Sequence, residues 1–180
     1  MKRPSKRSLV RAAQVGFVTG IASLAACASS VTKDDGSLRT TTILAPDQVQ
    51  FSAVSPMLER RCATLDCHGQ GGRPLRLYSG RGLRLPNDAG LGPGSGDTTD
   101  EEVAANYRSV IGLEPEQLTR VIAGLKQPRD LLLLKKPLNL EGHKGGPAFA
   151  PTNDPAEVCL TTWIKGTVDT GACTRAIEGL

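Results

Sequence analysis

Aromatic side chains make up only 3% of the 180 residues, and histidine and methionine number two each. These shortages exclude a good deal. Two histidines, His68 and His143, leave general-base chemistry few candidates, and no Ser-His-Asp order, paired carboxylates on one face or phosphate-binding loop stands in their place. The chain has no internal repeat, heptad pattern or low-complexity tract. It also lacks an apolar run of about 20 residues, the length that spans a bilayer. A small core so short of aromatic bulk must be filled by aliphatic side chains or by a bound group.

What is present begins with the first 26 residues. Lys2, Arg3, Lys6, Arg7 and Arg11 form a basic stretch, and Ala12 to Ala26 is uncharged and largely apolar. Small residues before a cleavage point are the mark of a secretory signal. Leu24-Ala25-Ala26-Cys27 resembles the lipobox of bacterial lipoproteins. That resemblance implies cleavage before Cys27, lipidation of its thiol and export to the periplasm or cell surface. With Ala28 and Ser29 next in the chain, it leans to the outer membrane. An ordinary cleaved signal with an incidental cysteine is the alternative. The five basic residues account for the net charge of +4: without them 17 Lys and Arg face 18 Asp and Glu, a net of −1. Nothing in that balance points to nucleic acid.

Residues 27–48 are polar and without apolar period, and read as a flexible tether. Residues 49–180 read as one mostly α domain with long Gly- and Pro-rich loops. Val49 to Arg61 is expected to be helical, its main part starting at Ser55-Pro56, with Phe51, Val54 and Leu58 on one face. Gly69 to Gly96 reads as an ordered loop with a short extended piece at Leu75 to Tyr78. Asp97 to Gly112 reads as a helix capped by Thr98 or Thr99, and Glu114 to Leu125 as a second, shorter one. Arg129 to Leu140 is an apolar run, either a strand or an irregular buried segment. The strongest helix signal is the last: Asp154 as cap, Pro155 at the first position, Glu157 in capping-box register, an apolar face of Val158, Leu160, Trp163 and Ile164, and Gly166 as stop.

Between the first helix and the long loop lies Cys62-Ala63-Thr64-Leu65-Asp66-Cys67-His68. Two thiols can add across the vinyl groups of a haem, and an imidazole directly after the second can reach the iron as proximal ligand. The usual spacing is Cys-x-x-Cys-His, so this loop is two residues longer. Met1 leaves with the signal, and Met57 lies on the same helix as Cys62. That leaves His143, in its Gly-rich loop, as candidate for the opposite side of the iron, with a lysine or an open position as alternatives. Two other uses of these residues stay open: a Cys62–Cys67 disulfide with His68 in an exposed loop, or a zinc site of Cys62, Cys67, His68 and His143. With Cys27 lipidated and the first pair on haem, Cys159 and Cys173 remain to pair with each other. Arg73, Arg76, Arg81 and Arg84 follow the motif; arginine suits carboxylates such as haem propionates, and a solvated charged loop is the plainer reading.

Phe51-x-x-Val54-x-Pro56-x-Leu58-x-x-x-Cys62, then Cys67-His68-Gly69, His143-x-Gly145-Gly146-x-x-Phe149 and Trp163-Ile164-x-Gly166, resemble the small cytochrome c-like domains of exported planctomycete and myxobacterial proteins. The likeness spans roughly Val49 to Thr167. It implies a cytochrome c-like helical fold, one haem c on the Cys-His pair, and a last helix packed near the haem-bearing one. The expectation is a lipid-anchored electron carrier working with a redox partner protein, and not an enzyme. The alternative is a non-redox exported lipoprotein with disulfides Cys62–Cys67 and Cys159–Cys173 and an interaction role.

Overall fold

The computed structural model describes Val31–Thr32, Leu38–Arg39 and residues 42–86, 92 and 95–178. The basic segment and Cys27 lie outside the described residues. The chain divides into two compact units, Met1–Thr41 and Thr42–Leu180. In the first, β1 (Val31–Thr32) pairs antiparallel with β2 (Leu38–Arg39), Val31 opposite Arg39. A short hairpin thus stands inside the stretch read as a plain tether.

The second unit is mostly helical, as the sequence implies. Its first helix, α1 (Gln48–Arg61), starts well before Ser55-Pro56 and carries Pro56 in its interior. Proline there forfeits one backbone hydrogen bond and costs about 3 kcal/mol. Asp47 offsets part of this by capping the helix, its carboxylate accepting the Val49 N–H at 2.6 Å. Full burial of Phe51, Val54, Met57 and Leu58 supplies the rest, at roughly 1.5–3 kcal/mol per large apolar side chain.

The few aromatic residues are concentrated in one place. The Phe51 ring lies 5.6 Å from Tyr107 and 5.1 Å from Trp163, centroid to centroid. This joins α1 to α2 (Asp100–Ile111) and α5 (Pro155–Ile164). The polar ends of the same rings face outward to one strap: Tyr107 Oη donates to Pro46 O at 2.8 Å and Trp163 Nε1 to Asp47 O at 2.9 Å. Leu44 N donates to Thr119 Oγ1 at 3.0 Å. Residues 42–47 therefore belong to the body, ahead of the boundary expected at Val49.

Thr99 caps α2 with Glu102 closing a capping box. α3 (Pro115–Ile122) follows and ends before Gly124, whose φ of 74° few other residues adopt. The leucine run expected as a strand or irregular segment is helical in two short pieces, a 3-10 turn at Pro128–Asp130 and α4 at Leu132–Lys135. Leucine is a good helix former and no alternation of polar residues favours a strand. Leu131, Leu133 and Leu134 are buried, and Pro137 closes the piece.

Asp154 caps α5 as expected, accepting from Ala156 N at 2.8 Å. Glu157 does not complete the capping box; its carboxylate takes two N–H bonds from Arg129. Val158, expected on the apolar face, is 36% exposed. Beyond Gly166 the chain forms one helix the sequence reading did not foresee, α6 (Thr170–Arg175), capped by Asp169 on Ala172 N. Cys159 and Cys173 form a disulfide that fastens α6 to α5. No helix among the described residues is long and apolar enough to cross a membrane.

Candidate functional site

The end of α1 feeds directly into the Cys-His turn. Cys62 and Ala63 donate backbone N–H bonds to Leu58 O at 2.8 and 3.1 Å, so the helix closes on the first cysteine. The two additional residues of the loop are absorbed by a tight turn: Cys67 N and Gly69 N both bond Thr64 O, at 3.0 and 2.9 Å. His68 N then returns to Cys62 O at 2.9 Å, so the second cysteine and the histidine come back over the first despite the longer spacing. Leu65, at the tip of the turn, is 49% exposed. Ser79 Oγ donates to Ala63 O at 2.9 Å and Leu77 N to His68 O at 2.9 Å, fixing the turn on the extended piece that follows.

The structure brings His143 to His68. Their ring centroids lie 6.1 Å apart and their planes are within 10° of parallel. Near-parallel rings at this separation fall within the range of offset stacking. A metal–imidazole bond is about 2.0 Å, and adding roughly 1 Å from nitrogen to centroid on each side gives about 6 Å across one shared metal ion. Each ring is oriented through Nδ1. His68 Nδ1 lies 2.9 Å from Leu75 O, and His143 Nδ1 lies 2.6 Å from Gly146 O. Both carbonyls are acceptors, so each Nδ1 is the donor, and in the neutral tautomer that makes this bond Nε2 holds the lone pair. Metal-binding histidines are held in this way, with the second ring nitrogen donating to a carbonyl. Burial lowers the His68 pKa; the Leu75 carbonyl opposes this, and the nearby His143 and Arg73 charges add to it. The net direction favours the neutral, ligating form.

His143 sits on a self-contained turn, with Gly146 N donating to His143 O at 2.9 Å and Gly146 at φ 75°. Both flanks are fastened. Ala148 N and Phe149 N converge on Pro137 O at 2.9 and 3.0 Å, and Lys136 Nζ bonds Gly142 O at 2.9 Å.

Cys62 and Cys67 are free thiols, so the disulfide alternative for this pair is not formed. Burial, with the charge of Cys67 adding and Arg61 opposing, pushes the Cys62 thiol up to about 12. The zinc alternative is not assembled either: among the described residues no three His, Cys, Asp or Glu side chains gather around a common point. Met57 is fully buried in the core.

The four arginines after the motif take separate roles. Arg84 is neither solvated nor available to a ligand carboxylate. It is buried, with Nε 2.8 Å from Glu102 Oε1, Nη2 2.7 Å from Asp97 O, and Nη1 on Ser95 O. Arg73 Nε donates to Cys67 O at 3.1 Å and braces the turn. Arg76 and Arg81 are exposed.

Sequence reasoning passed over Arg61. Its Nη1 lies 3.0 Å from both Asp154 carboxylate oxygens and 3.2 Å from Ala148 O, and its Nε lies 2.8 Å from Ala176 O. The only signal was its place directly before Cys62 in the last turn of α1, where a basic residue also suits the helix dipole.

The chain matches no family model, no curated protein and no solved structure.

Proposed function

We propose that residues 42–178 form a single-haem, c-type electron-transfer domain, carried outside the cytoplasm on a lipid anchor at Cys27. Cys62 and Cys67 would hold the haem by thioethers, and His68 and His143 would ligate its iron. The observation that carries this reading is the His68–His143 pair: two rings from distant parts of the chain, parallel and 6.1 Å apart, each with Nδ1 given to a carbonyl. Bound haem supplies a one-electron iron couple. The chain's contribution is to fix both imidazoles in orientation and tautomer and to keep both positions occupied. With no open position for a substrate, the domain carries electrons and does not catalyse a reaction itself. Two imidazoles give a lower potential than an imidazole and a thioether, since methionine raises it.

Cys62 is a protonated thiol at neutral pH in the folded turn, and the thiolate is the nucleophile. The alternative reading, a non-redox exported lipoprotein, draws no support from an unpaired Cys62 and Cys67.

The test is co-expression of the full chain with a cytochrome c maturation system, followed by haem staining of a denaturing gel and a reduced spectrum. Haem that survives denaturation, a low-spin spectrum and the rhombic ferric signal expected of parallel imidazole planes support the reading. His143→Ala should then shift the spectrum towards high spin. A colourless protein would end it.

A further inference from the structure

We propose that Arg61 and Asp154 form a clamp that positions His143 for ligation and so sets how firmly the sixth iron position is closed. This rests on the haem reading above.

Arg61 is the last residue of α1 and the neighbour of Cys62, so its backbone moves with the haem-attachment turn. Its guanidinium reaches three other pieces of the body. It contacts both oxygens of Asp154, the carbonyl of Ala148 and the carbonyl of Ala176 at the end of α6. The Phe149 ring lies beneath it, 5.6 Å from the guanidinium carbon. Asp154 is 5% exposed and fully used. Its Oδ1 accepts from Ala156 N at 2.8 Å, which starts α5, and its Oδ2 accepts from Ala150 N at 2.6 Å. Ala148, Phe149 and Ala150 are the strand of chain leaving the His143 turn. The clamp thus joins the side of the site that carries His68 to the side that carries His143, with one guanidinium nitrogen, Nη1, on both Asp154 oxygens and another, Nε, on Ala176 O.

The rest of the His143 loop explains why such a clamp matters. The turn at 143–146 closes on itself, and the Lys136 contact at Gly142 is largely solvent-facing. The Pro137 bonds fix the loop's width without tying it to α1. Among the described hydrogen bonds, those of Arg61 tie the exit of the loop to α1, beside the burial of Phe149 in the core. When the position-competent fraction of a ligand loop falls, its apparent affinity falls by the same factor. A loosened clamp therefore lets an external ligand compete for the iron.

The experiment uses the full haem-loaded chain. Asp154→Asn keeps a good helix cap and one acceptor for Ala156 N, but loses the second oxygen that holds Ala150 and the charge that holds Arg61. Arg61→Ala removes the clamp entirely, and Arg61→Lys keeps the charge without the second nitrogen that reaches Ala176 O. Covalent haem is expected in all of them. Carbon monoxide binding to the reduced protein should be about tenfold faster or more in Asp154→Asn than in the parent chain. A high-spin ferric fraction should appear and return to low spin on adding imidazole. Arg61→Lys should fall between. Should Arg61→Ala not accumulate, Asp154→Asn decides alone. Parent-like carbon monoxide binding and spin state in Asp154→Asn, with helix content retained, would overturn the clamp while leaving the haem reading intact. A parent chain that takes up no haem would remove both.

Discussion

Gly82 and Gly69 are packed backbone to backbone: a Cβ on Gly82 would lie 2.9 Å from the Gly69 Cα. A Cβ on Gly69 or Gly82 would also collide with the Ala63 carbonyl oxygen. Gly69 follows His68 directly, so the collision falls on the turn that carries the His68 imidazole. Gly69→Ala is expected to cost about 1–3 kcal/mol, the range for forcing atoms into a packed site. Denaturant unfolding checks it. Gly71→Ala, where a Cβ meets nothing within 4 Å, should leave stability near that of the parent chain.

Arg84 separates from its three sequence neighbours in the same test. It forms a buried ion pair with Glu102, the side chains 2% and 0% exposed. Glu102 also caps α2 and accepts from Leu85 N at 3.0 Å. Arg84→Ala leaves a buried carboxylate uncompensated and should cost about 3–5 kcal/mol. Arg76→Ala and Arg81→Ala, at exposed positions, should stay within about 0.5 kcal/mol of the parent.

Acid should weaken the body through Asp154. Burial alone would raise its carboxyl pKa, but the amides of Ala150 and Ala156 and the Arg61 guanidinium outweigh burial and hold it below the ordinary value. A carboxyl depressed on folding contributes stability that is complete above its unfolded pKa, about 3.9. That contribution is lost as pH falls through the lower folded value. Unfolding free energy measured between about pH 5 and pH 2 should decline as acid is added. Asp154→Asn should remove part of that decline, besides lowering stability at neutral pH.

Reduction of Cys159–Cys173 provides a fourth measurement. The bond spans a sequence separation of 14, for which the chain-entropy account gives about 3 kcal/mol. Replacing both cysteines by serine should lower the unfolding free energy by about that amount.

How much of this was readable from the residues depends on the distance over which each signal acts. Caps are local, so Asp154 and Thr99 were legible, as was Gly124 beyond α3. The pairing of Cys159 with Cys173 followed from parity. Other outcomes needed tertiary contacts. Glu157 had the right register for a capping box, but Arg129, distant in the chain, offered a stronger partner. Pro56 looked like a helix start until Asp47 and the burial of Phe51 extended the helix past it. The leucines at 131–134 have no period that separates strand from helix, and Pro137 and neighbouring helices decided. For the candidate site, the Cys-His motif and the scarcity of histidine singled out Cys62, Cys67, His68 and His143, and the structure brings two of these, His68 and His143, to each other. What the motif did not contain was how a loop two residues too long closes: that took the Thr64 carbonyl and the return bond from His68 to Cys62.

The disulfide between α5 and α6 has a further consequence. α6 ends at the carbonyl of Ala176 that receives Arg61 Nε, so the bond that fastens α6 also steadies one of the three supports of the Arg61 guanidinium. The Ala176 support of the proposed clamp is therefore firmer in the oxidised chain. A chain that met haem while still reduced would present His68 with a looser opposing ligand. On the proposed reading, the order of covalent events, sulfur to sulfur before sulfur to haem, would then bear on how firmly His143 is held.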